Sequence, residues 1–334
     1  MLFYQDLEEI IFTRSQLLPA VDQFVVVSGY VGIQPISRLR ELDIPSQVIY
    51  GMYGANGIGA PLHRSLLRLE NELSNTDIYY SQLPVHSKCY AWLKNNKVIH
   101  ALVGSANFSV NGLNTDYRET LAEATVDTYA PLKRYIDFVM ANSLLCTDPN
   151  IVTGSRSQSA HRVQLDDNSN TDVNTYCLSL LDRSGNVPAG SGINWGFAPN
   201  GHNKPGDAYI KISTKAIRNR PNIFSPKQRT NSIFIPEGRP QQRQNDDVEL
   251  IWDDGTVMRG LLEGSQIIDG NVYPKQISSF PEKNILGLYL RNRLGLTTLN
   301  RAVTIDDFNR YGRHTIEISR QNEGVYYLNF APAS

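Results

Sequence analysis

The stretch HSKCYAWLKNNKVIHALVGSAN, residues 86–107, decides the fold of the N-terminal half of the chain. Its first residues alternate along a strand until Asn95 and Asn96, a pair that tolerates the positive φ angles of a two-residue hairpin turn. A second strand-like run follows over Lys97–Val103. The stretch therefore predicts a β-hairpin in which Lys94 pairs with Lys97.

This register brings polar side chains to one end of the hairpin. Continuing the pairing back from the turn places His86 opposite Ser105 and Lys88 opposite Val103, with directly opposed Cβ atoms about 5 Å apart. His86 and Lys88 also alternate onto the same strand face. Asn107 follows closely after Ser105, so we expect four functional side chains at this end.

Such a group suits attack on a phosphodiester. A neutral imidazole nitrogen can attack phosphorus, while lysine, serine and asparagine side chains hold the non-bridging oxygens as charge develops. The candidate catalytic residues are His86, Lys88, Ser105 and Asn107, and no metal or other cofactor is expected. Cys89 points to the opposite strand face, where we expect it to be core rather than nucleophile.

Other histidines give little support to a metal site or to a second catalytic motif. His63, His100, His161, His202 and His314 are scattered, and no histidine, cysteine or carboxylate group has ligand spacing. His202 and Lys204 repeat the HxK spacing of His86 and Lys88, but no GSxN sequence accompanies them. We therefore do not expect the second HxK sequence to be catalytic.

Two patterns organise the rest of the chain. Residues 1–150 alternate strand-like and helical segments, which predicts an α/β domain with a mixed sheet flanked by helices. Residues 151–175 are rich in polar residues and are predicted to be a linker, and short strand-like runs over residues 176–334 predict a mostly-β, barrel-like domain. Its one predicted helix is Ile305–Tyr311, with Thr304 as the N-cap.

Composition indicates a folded protein of the cytoplasm. Hydrophobic residues make up 41% and charged residues 19% of the 334 residues. The three cysteines are widely spaced and odd in number, which fits reduced thiols in the cytoplasm. No apolar run approaches the length of a membrane span, so no membrane contact is expected. The formal net charge is −1, but basic residues concentrate after residue 175, which favours a phosphate-binding face there.

The pair of sequences HxK and GSxN resembles the motif of the phospholipase D superfamily. In that superfamily an aspartate usually follows, and Leu93 stands at its position here, which makes phospholipid chemistry less expected. The resemblance implies that a downstream carboxylate orients His86, with Glu119 as the candidate and Glu123 as the alternative. Because the motif occurs once in the chain, the resemblance also implies a homodimer whose active site lies at a twofold interface.

The C-terminal half resembles the B3-like DNA-recognition domains of restriction enzymes, in the sequences GSGINWG from Gly190 and YLRNRLG from Tyr289. The whole chain therefore resembles the NgoFVII-type restriction endonucleases, a family related to BfiI. Two arms, Gly190–Lys204 and Val272–Ser279, would then contact double-stranded DNA in the major groove. The expected base-reading residues are Asn194, Trp195, Lys204, Tyr273, Lys275, Gln276 and Ser278, and Arg218, Arg220 and Arg229 are expected to meet phosphates.

The implied function is site-specific cleavage of DNA by a metal-independent phosphodiesterase. Two alternatives stay open: a phospholipase D acting on lipid, and a DNA-binding protein with an inert nuclease domain. A B3-like domain could also place Trp195 in its core and leave Lys275 and Gln276 in a solvated loop. Some members of the family work with a separate helicase-like ATPase, which would have to be another protein because this chain has no GxxxxGK[ST] loop.

Overall fold

The computed structural model describes residues 1–18, 20–155, 175–199, 203–227 and 245–332. The chain forms two compact units. The first comprises Met1–Asn168 together with Gln321–Gly324, and the second comprises Ser169–Arg320 with Val325–Ser334. The change from one unit to the other at Asn168 falls inside the predicted linker 151–175, and residues 156–174 of that linker lie outside the described residues.

The first unit is built on an eight-stranded mixed sheet with the order β1-β8-β7-β6-β2-β3-β5-β9. Strands β2, β3 and β5 are parallel to one another, and the remaining neighbours are antiparallel. Two short strands, β4 and β10, pair separately. The strands are β1 Leu2–Phe3, β2 Gln23–Ser28, β3 Ser46–Tyr50, β4 Gly57–Ile58, β5 Thr76–Ser81, β6 Lys88–Lys94, β7 Lys97–Gly104, β8 Leu121–Glu123, β9 Ser143–Leu145 and β10 Gly154–Ser155.

Helices cover both faces of this sheet. Helix α6 buries Ile136 and Val139 in a core with Ala91 of the sheet, whereas on the other face the indole Nε1 of Trp92 donates to Ser15 Oγ of α1 at 2.7 Å. The predicted α/β architecture is confirmed. The helices are α1 Leu7–Leu17, α2 Ile33–Arg38, α3 Tyr53–Asn56, α4 Ala60–Glu72, α5 Val110–Leu113 and α6 Tyr129–Ala141, with 3₁₀ turns at Leu39–Glu41 and Val126–Thr128.

The central hairpin forms as predicted, but its register differs from the prediction. Asn95 and Asn96 have φ angles of 48° and 59°, and Lys94 pairs with Lys97. A β-bulge then shifts the pairing, so that Cys89 rather than Lys88 lies opposite Val103. The predicted pairing of Lys88 with Val103 is therefore wrong, because a bulge adds one residue to one strand and displaces every pair beyond it.

The second unit contains a nearly closed seven-stranded sheet with the order β11-β18-β19-β13-β14-β17-β12, and its two end strands lie close together. Strands β13 and β19 are parallel, whereas β11 with β18, β13 with β14, β14 with β17 and β12 with β17 pair antiparallel. This mostly-β architecture is the one predicted. The strands are β11 Thr175–Ser179, β12 Ile210–Lys211, β13 Asp246–Trp252, β14 Val257–Glu263, β15 Gln266–Ile268, β16 Asn271–Tyr273, β17 Gln276–Ser279, β18 Thr315–Asn322 and β19 Val325–Asn329.

Three helices and a 3₁₀ segment complete the described part of this unit, and its core includes Trp252, Phe224 and Phe308. Helix α9 spans Ile305–Tyr311 with Thr304 as its N-cap, as predicted, and Thr304 forms a capping box with Asp307. No helix in the described part of the chain is long and apolar enough to cross a membrane. The helices are α7 Thr214–Asn219, α8 Asn284–Arg293 and α9 Ile305–Tyr311, with the 3₁₀ segment at Gly192–Phe197.

Candidate active site and nucleic-acid interface

Three chain segments meet at one end of the sheet in the first unit. Strands β2 and β7 both run antiparallel to β6, so the ends of β2 and β7 lie beside the start of β6. His86 precedes β6, Ser105 and Asn107 follow β7, and Gly29 follows β2. The sheet topology therefore brings residues from distant parts of the sequence to one place.

Lys88 is the charged group at the centre of this site. Its side chain is 6% exposed, and Nζ lies 3.1 Å from His86 Nε2, 3.2 Å from His86 Nδ1 and 2.7 Å from the carbonyl oxygen of His86. Burial lowers the pKa of Lys88, and the carboxylates of Glu323 and Glu119 oppose that effect. His86 itself is exposed, so the imidazole can be reached from solvent.

Asn107 is held in one orientation by the backbone that follows β2. Its Oδ1 accepts from the backbone N–H of Tyr30 at 3.1 Å. Because a backbone N–H can only donate, this bond assigns the oxygen of the amide and leaves its NH₂ group on the other side. The NH₂ group of Asn107 donates to Glu323 Oε2 at 3.3 Å, which agrees with that assignment.

Ser105 joins the site through the segment that leads into β8. Its Oγ accepts from the backbone N–H of Thr120 at 3.0 Å, and its hydroxyl hydrogen-bonds to the carboxylate of Glu119. Burial raises the pKa of Glu119, although the bond from Ser105 and the charge of Lys88 work in the opposite direction. Glu119 therefore belongs to the same group of polar side chains as Ser105 and Lys88.

The alternative carboxylate, Glu123, has other partners. Its oxygens pair with the amino group of Met1 at 3.1 Å and with Arg14 at 2.7 Å. The bond from the N-terminus lowers the pKa of Glu123. Sequence spacing did not separate the two glutamates, but the structure brings Glu119 rather than Glu123 to Ser105.

A further carboxylate at this site was missed in the sequence. Glu323 lies in the segment Gln321–Gly324, which belongs to the first unit. Glu323 accepts a hydrogen bond from the amide of Asn107, and its charge raises the pKa of Lys88. An anionic oxygen therefore lies near both the amide of Asn107 and the ammonium of Lys88. No local motif signals this, because the residue lies more than 200 positions from Asn107 along the chain.

Cys89 is a core residue, and the described residues form no metal site. Cys89 is 6% exposed in the core beneath α6, and burial raises the pKa of its thiol to about 11. The expectation that it is a core residue agrees with this burial. Among the described residues, no three or more histidine, cysteine or carboxylate side chains are grouped so that they could hold a metal ion.

In the second unit, a buried carboxylate binds side chains of the second predicted arm. Glu263 accepts from Ser278 at 2.7 Å, from Lys283 at 2.9 Å and from Gln276 at 3.2 Å. Lys283 also lies over the ring of Trp195, with Nζ 4.9 Å from the ring centroid. Lys283 thus links Trp195 of the first arm to Gln276 and Ser278 of the second, a role that the sequence did not reveal.

Several predicted DNA-reading side chains are already engaged within the unit. The amide of Asn194 is buried, donates to the carbonyls of Pro188 and Val303, and accepts from the N–H of Val303. Ser278 is likewise fully buried. To contact a base, either side chain would have to give up these bonds, whereas Lys275 is exposed.

The remaining predicted contacts lie at or near the surface. Lys204 pairs with Glu282 at 3.2 Å, and Arg218 pairs with Asp269 at 3.3 Å. Arg220 donates from Nε to the carbonyl of Thr175 at 3.2 Å. Tyr273 is half-buried at the end of β16. Arg229 lies outside the described residues.

Family profiles match both units of the chain. The profile of the NgoFVII restriction endonuclease N-terminal PLD domain matches residues 5–153, and that of the NgoFVII C-terminal B3-like DNA-binding domain matches residues 168–322. The chain belongs to the NgoFVII restriction endonuclease family. In this family member, the site around His86 lies in the PLD nuclease domain, and the cluster around Glu263 lies in the B3-like DNA-binding domain.

Solved structures with low identity also show similarity to this NgoFVII-family chain. NucT from Helicobacter pylori is 18% identical with a TM-score of 0.32, and the match covers 43% of this chain and 97% of NucT. Polyphosphate kinase from Porphyromonas gingivalis is 12% identical with a TM-score of 0.31. That match covers 48% of this chain and only 26% of the kinase. No curated protein matches the chain.

Proposed function

We propose that this NgoFVII-family protein is a type II restriction endonuclease that cleaves DNA at a specific sequence without a metal ion. The observation that carries the proposal is the meeting of His86, Lys88 and Asn107 at one end of the sheet, with the ammonium of Lys88 within 3.2 Å of both imidazole nitrogens. A cation and an amide donor beside a nucleophile are what phosphoryl transfer requires.

The proposed reaction has two steps. A ring nitrogen of His86 attacks the phosphorus, so that an N–P bond forms and one P–O bond of the DNA backbone breaks. Lys88 and the NH₂ group of Asn107 hold the non-bridging oxygens. In the free protein this NH₂ group donates to Glu323, and on DNA binding it donates to the phosphate instead. Water then attacks the phosphohistidine and gives its proton to the group that protonated the leaving oxygen, so that an O–P bond forms, the N–P bond breaks and a phosphate monoester remains.

The leaving oxygen needs a proton, and in the proposed enzyme the second copy of the chain supplies it. The His86 of one protomer acts as the nucleophile and that of its twofold-related partner as the general acid. Glu119 is the proposed orienting carboxylate. The proposed partners are double-stranded DNA, a second copy of the chain and, within a restriction-modification system, a separate helicase-like ATPase.

The test is digestion of a defined plasmid in the presence of EDTA, with the ends of the products sequenced. We expect cleavage at a fixed sequence, its loss in His86→Ala and its retention in His314→Ala, a control histidine that is exposed in the other unit. Failure to cleave in EDTA but cleavage with magnesium would overturn metal independence. Products with random ends would overturn sequence specificity.

The shared active site is tested by mixing subunits. When the wild-type protein is refolded with an excess of His86→Ala protein, a site that needs both histidines loses activity as the square of the wild-type fraction. A linear loss would show that each protomer cleaves alone and would refute the dimeric site.

A further inference from the structure

The segment Ser28–Tyr30, which comprises the last residue of β2 and the two residues after it, lies against His86, Lys88 and Asn107 of the nuclease site. It belongs to neither the HxK nor the GSxN sequence. The hydroxyl of Ser28 donates to the carbonyl of Tyr30 at 2.6 Å and accepts from the backbone N–H of Phe108 at 2.9 Å. Phe108 is the residue directly after Asn107. One buried hydroxyl therefore ties the loop after β2 to the loop after β7.

This tie determines which face of the Asn107 amide points into the site. With the Tyr30 backbone held by Ser28, the N–H of Tyr30 donates to Asn107 Oδ1 at 3.1 Å. The hydroxyl oxygen of Ser28 also lies near Asn107 Oδ1, at a distance of 3.4 Å. The oxygen is thereby held against the backbone, and only the NH₂ group is left to meet an anionic oxygen.

Gly29 lies directly against the catalytic side chains. A Cβ atom at this position would be 2.9 Å from Cδ2 of His86, 3.2 Å from Nζ of Lys88 and 3.4 Å from Oδ1 of Asn107. The first distance is shorter than any normal carbon–carbon contact. The absence of a side chain at Gly29 therefore lets the imidazole and the ammonium occupy their observed positions.

We propose that Ser28 and Gly29 are positioning residues of the phosphodiesterase site: Ser28 fixes the amide of Asn107 with its NH₂ group toward the phosphate, and Gly29 leaves room for His86 and Lys88. This inference rests on the proposed nuclease function, because its kinetic test measures DNA cleavage. Neither residue touches the reacting phosphate, since both act through the side chains that do. The segment is thus a third part of the site, supplied by the central strand of the sheet.

Gly29→Ala separates positioning from folding. The atoms that its Cβ would crowd are the far ends of flexible side chains, so the fold can adapt by moving His86 and Lys88. We expect the melting temperature to stay within a few degrees of wild type. Plasmid cleavage at saturating DNA should slow by about 100-fold, which is the cost of roughly a 1 Å displacement of a reacting group.

Ser28→Ala removes the tie without adding an atom, and Ser46→Ala is its matched control. Ser46 is also a buried serine whose hydroxyl bonds a backbone carbonyl, but it lies at the opposite end of the sheet, paired with Phe24. We expect kcat to fall about 10-fold to 100-fold in Ser28→Ala with KM unchanged. Ser28→Thr, which keeps the hydroxyl, should recover most of the lost kcat, and Ser46→Ala should cleave like wild type.

A second measurement does not require cleavage. Orthovanadate binding to the full-length protein, followed by ⁵¹V NMR, should weaken about tenfold in Ser28→Ala and Gly29→Ala and stay unchanged in Ser46→Ala. If wild type binds vanadate but cuts no DNA, the proposed nuclease function fails while these binding ratios still decide the inference. Equal kcat and equal vanadate affinity in wild type, Ser28→Ala and Gly29→Ala would overturn the inference, as would a loss in Ser28→Ala matched by an equal loss in Ser28→Thr.

Discussion

Asn107→Asp should inactivate the enzyme through the loss of a donor at the phosphate. Aspartate has the shape of asparagine, so one carboxylate oxygen can still accept from the N–H of Tyr30, as Oδ1 does now at 3.1 Å. The second oxygen then stands where the NH₂ group donates to Glu323. A donor aimed at an anion is thus replaced by an anion.

Two effects set the size of the loss. Removing one preorganised donor from a site where negative charge develops costs about 100-fold to 1,000-fold in rate. In addition, the new carboxylate repels the phosphate: two like charges about 4 Å apart in a site with an effective dielectric constant of about 20 interact by roughly 4 kcal/mol. The two effects overlap, and Lys88 partly neutralises the new charge, so we expect a net slowing of about 1,000-fold.

The assay is single-turnover cleavage of supercoiled plasmid with enzyme in excess, which reports the chemical step rather than product release. Asn71→Asp controls for net charge, since Asn71 is exposed on α4 and its amide bonds only the carbonyl of Leu67 among the contacts seen. Circular dichroism and the melting temperature check the fold. A correctly folded Asn107→Asp enzyme that cleaves within tenfold of wild type would refute the assigned orientation of the amide and its place at the phosphate.

Two further predictions concern DNA binding and pH. Lys275→Ala should weaken binding to the recognised sequence by about 1–3 kcal/mol with little effect on other DNA. Arg218→Ala should weaken binding to specific and non-specific DNA equally and reduce the slope of log K against log salt concentration by about one. Fluorescence anisotropy measures both variants. Glu70→Gln should raise the melting temperature at pH 8, because burial raises the pKa of Glu70 and its ionisation therefore opposes folding as pH rises through that pKa. The gain should shrink as the pH falls below the ordinary pKa of a glutamate, because Glu70 then becomes protonated in both states. A gain independent of pH would contradict this cause.

The elements of both units follow largely from local sequence. The alternation of the hairpin strands and the two asparagines of its turn each act over a few residues, so they can be recognised without knowing the rest of the fold. Helix α9 was predicted to the residue. His86, Lys88, Ser105 and Asn107 could be chosen because strand alternation and a tight turn constrain them within one short stretch.

The remainder of the site depends on contacts that no short stretch contains. Ser28 acts through a hydroxyl bonded to backbone groups, and Gly29 acts through the lack of a side chain, so neither shows a motif of its own. Glu323 reaches Asn107 from the other end of the sequence. Lys283 was missed for the same reason, because only the folded second unit brings it to Glu263 and Trp195.

The β-bulge explains why a register error at one residue matters for chemistry. His100 pairs with Trp92 and Val98 with Leu93, so Ile99 is the extra residue of β7. Without it, Val103 would lie opposite Lys88 and project its side chain on the same face as the ammonium. With it, Val103 lies opposite Cys89 and packs toward the core beneath α6, and the residue that follows in register beside Lys88 is Gly104.

A glycine at that place is also required by the neighbouring strand, since a Cβ atom on Gly104 would lie 2.0 Å from the carbonyl oxygen of Thr120. The same residue therefore allows β8 to approach β7 and adds no side chain opposite Lys88. The one inserted residue in β7 thus places a glycine rather than a valine opposite Lys88.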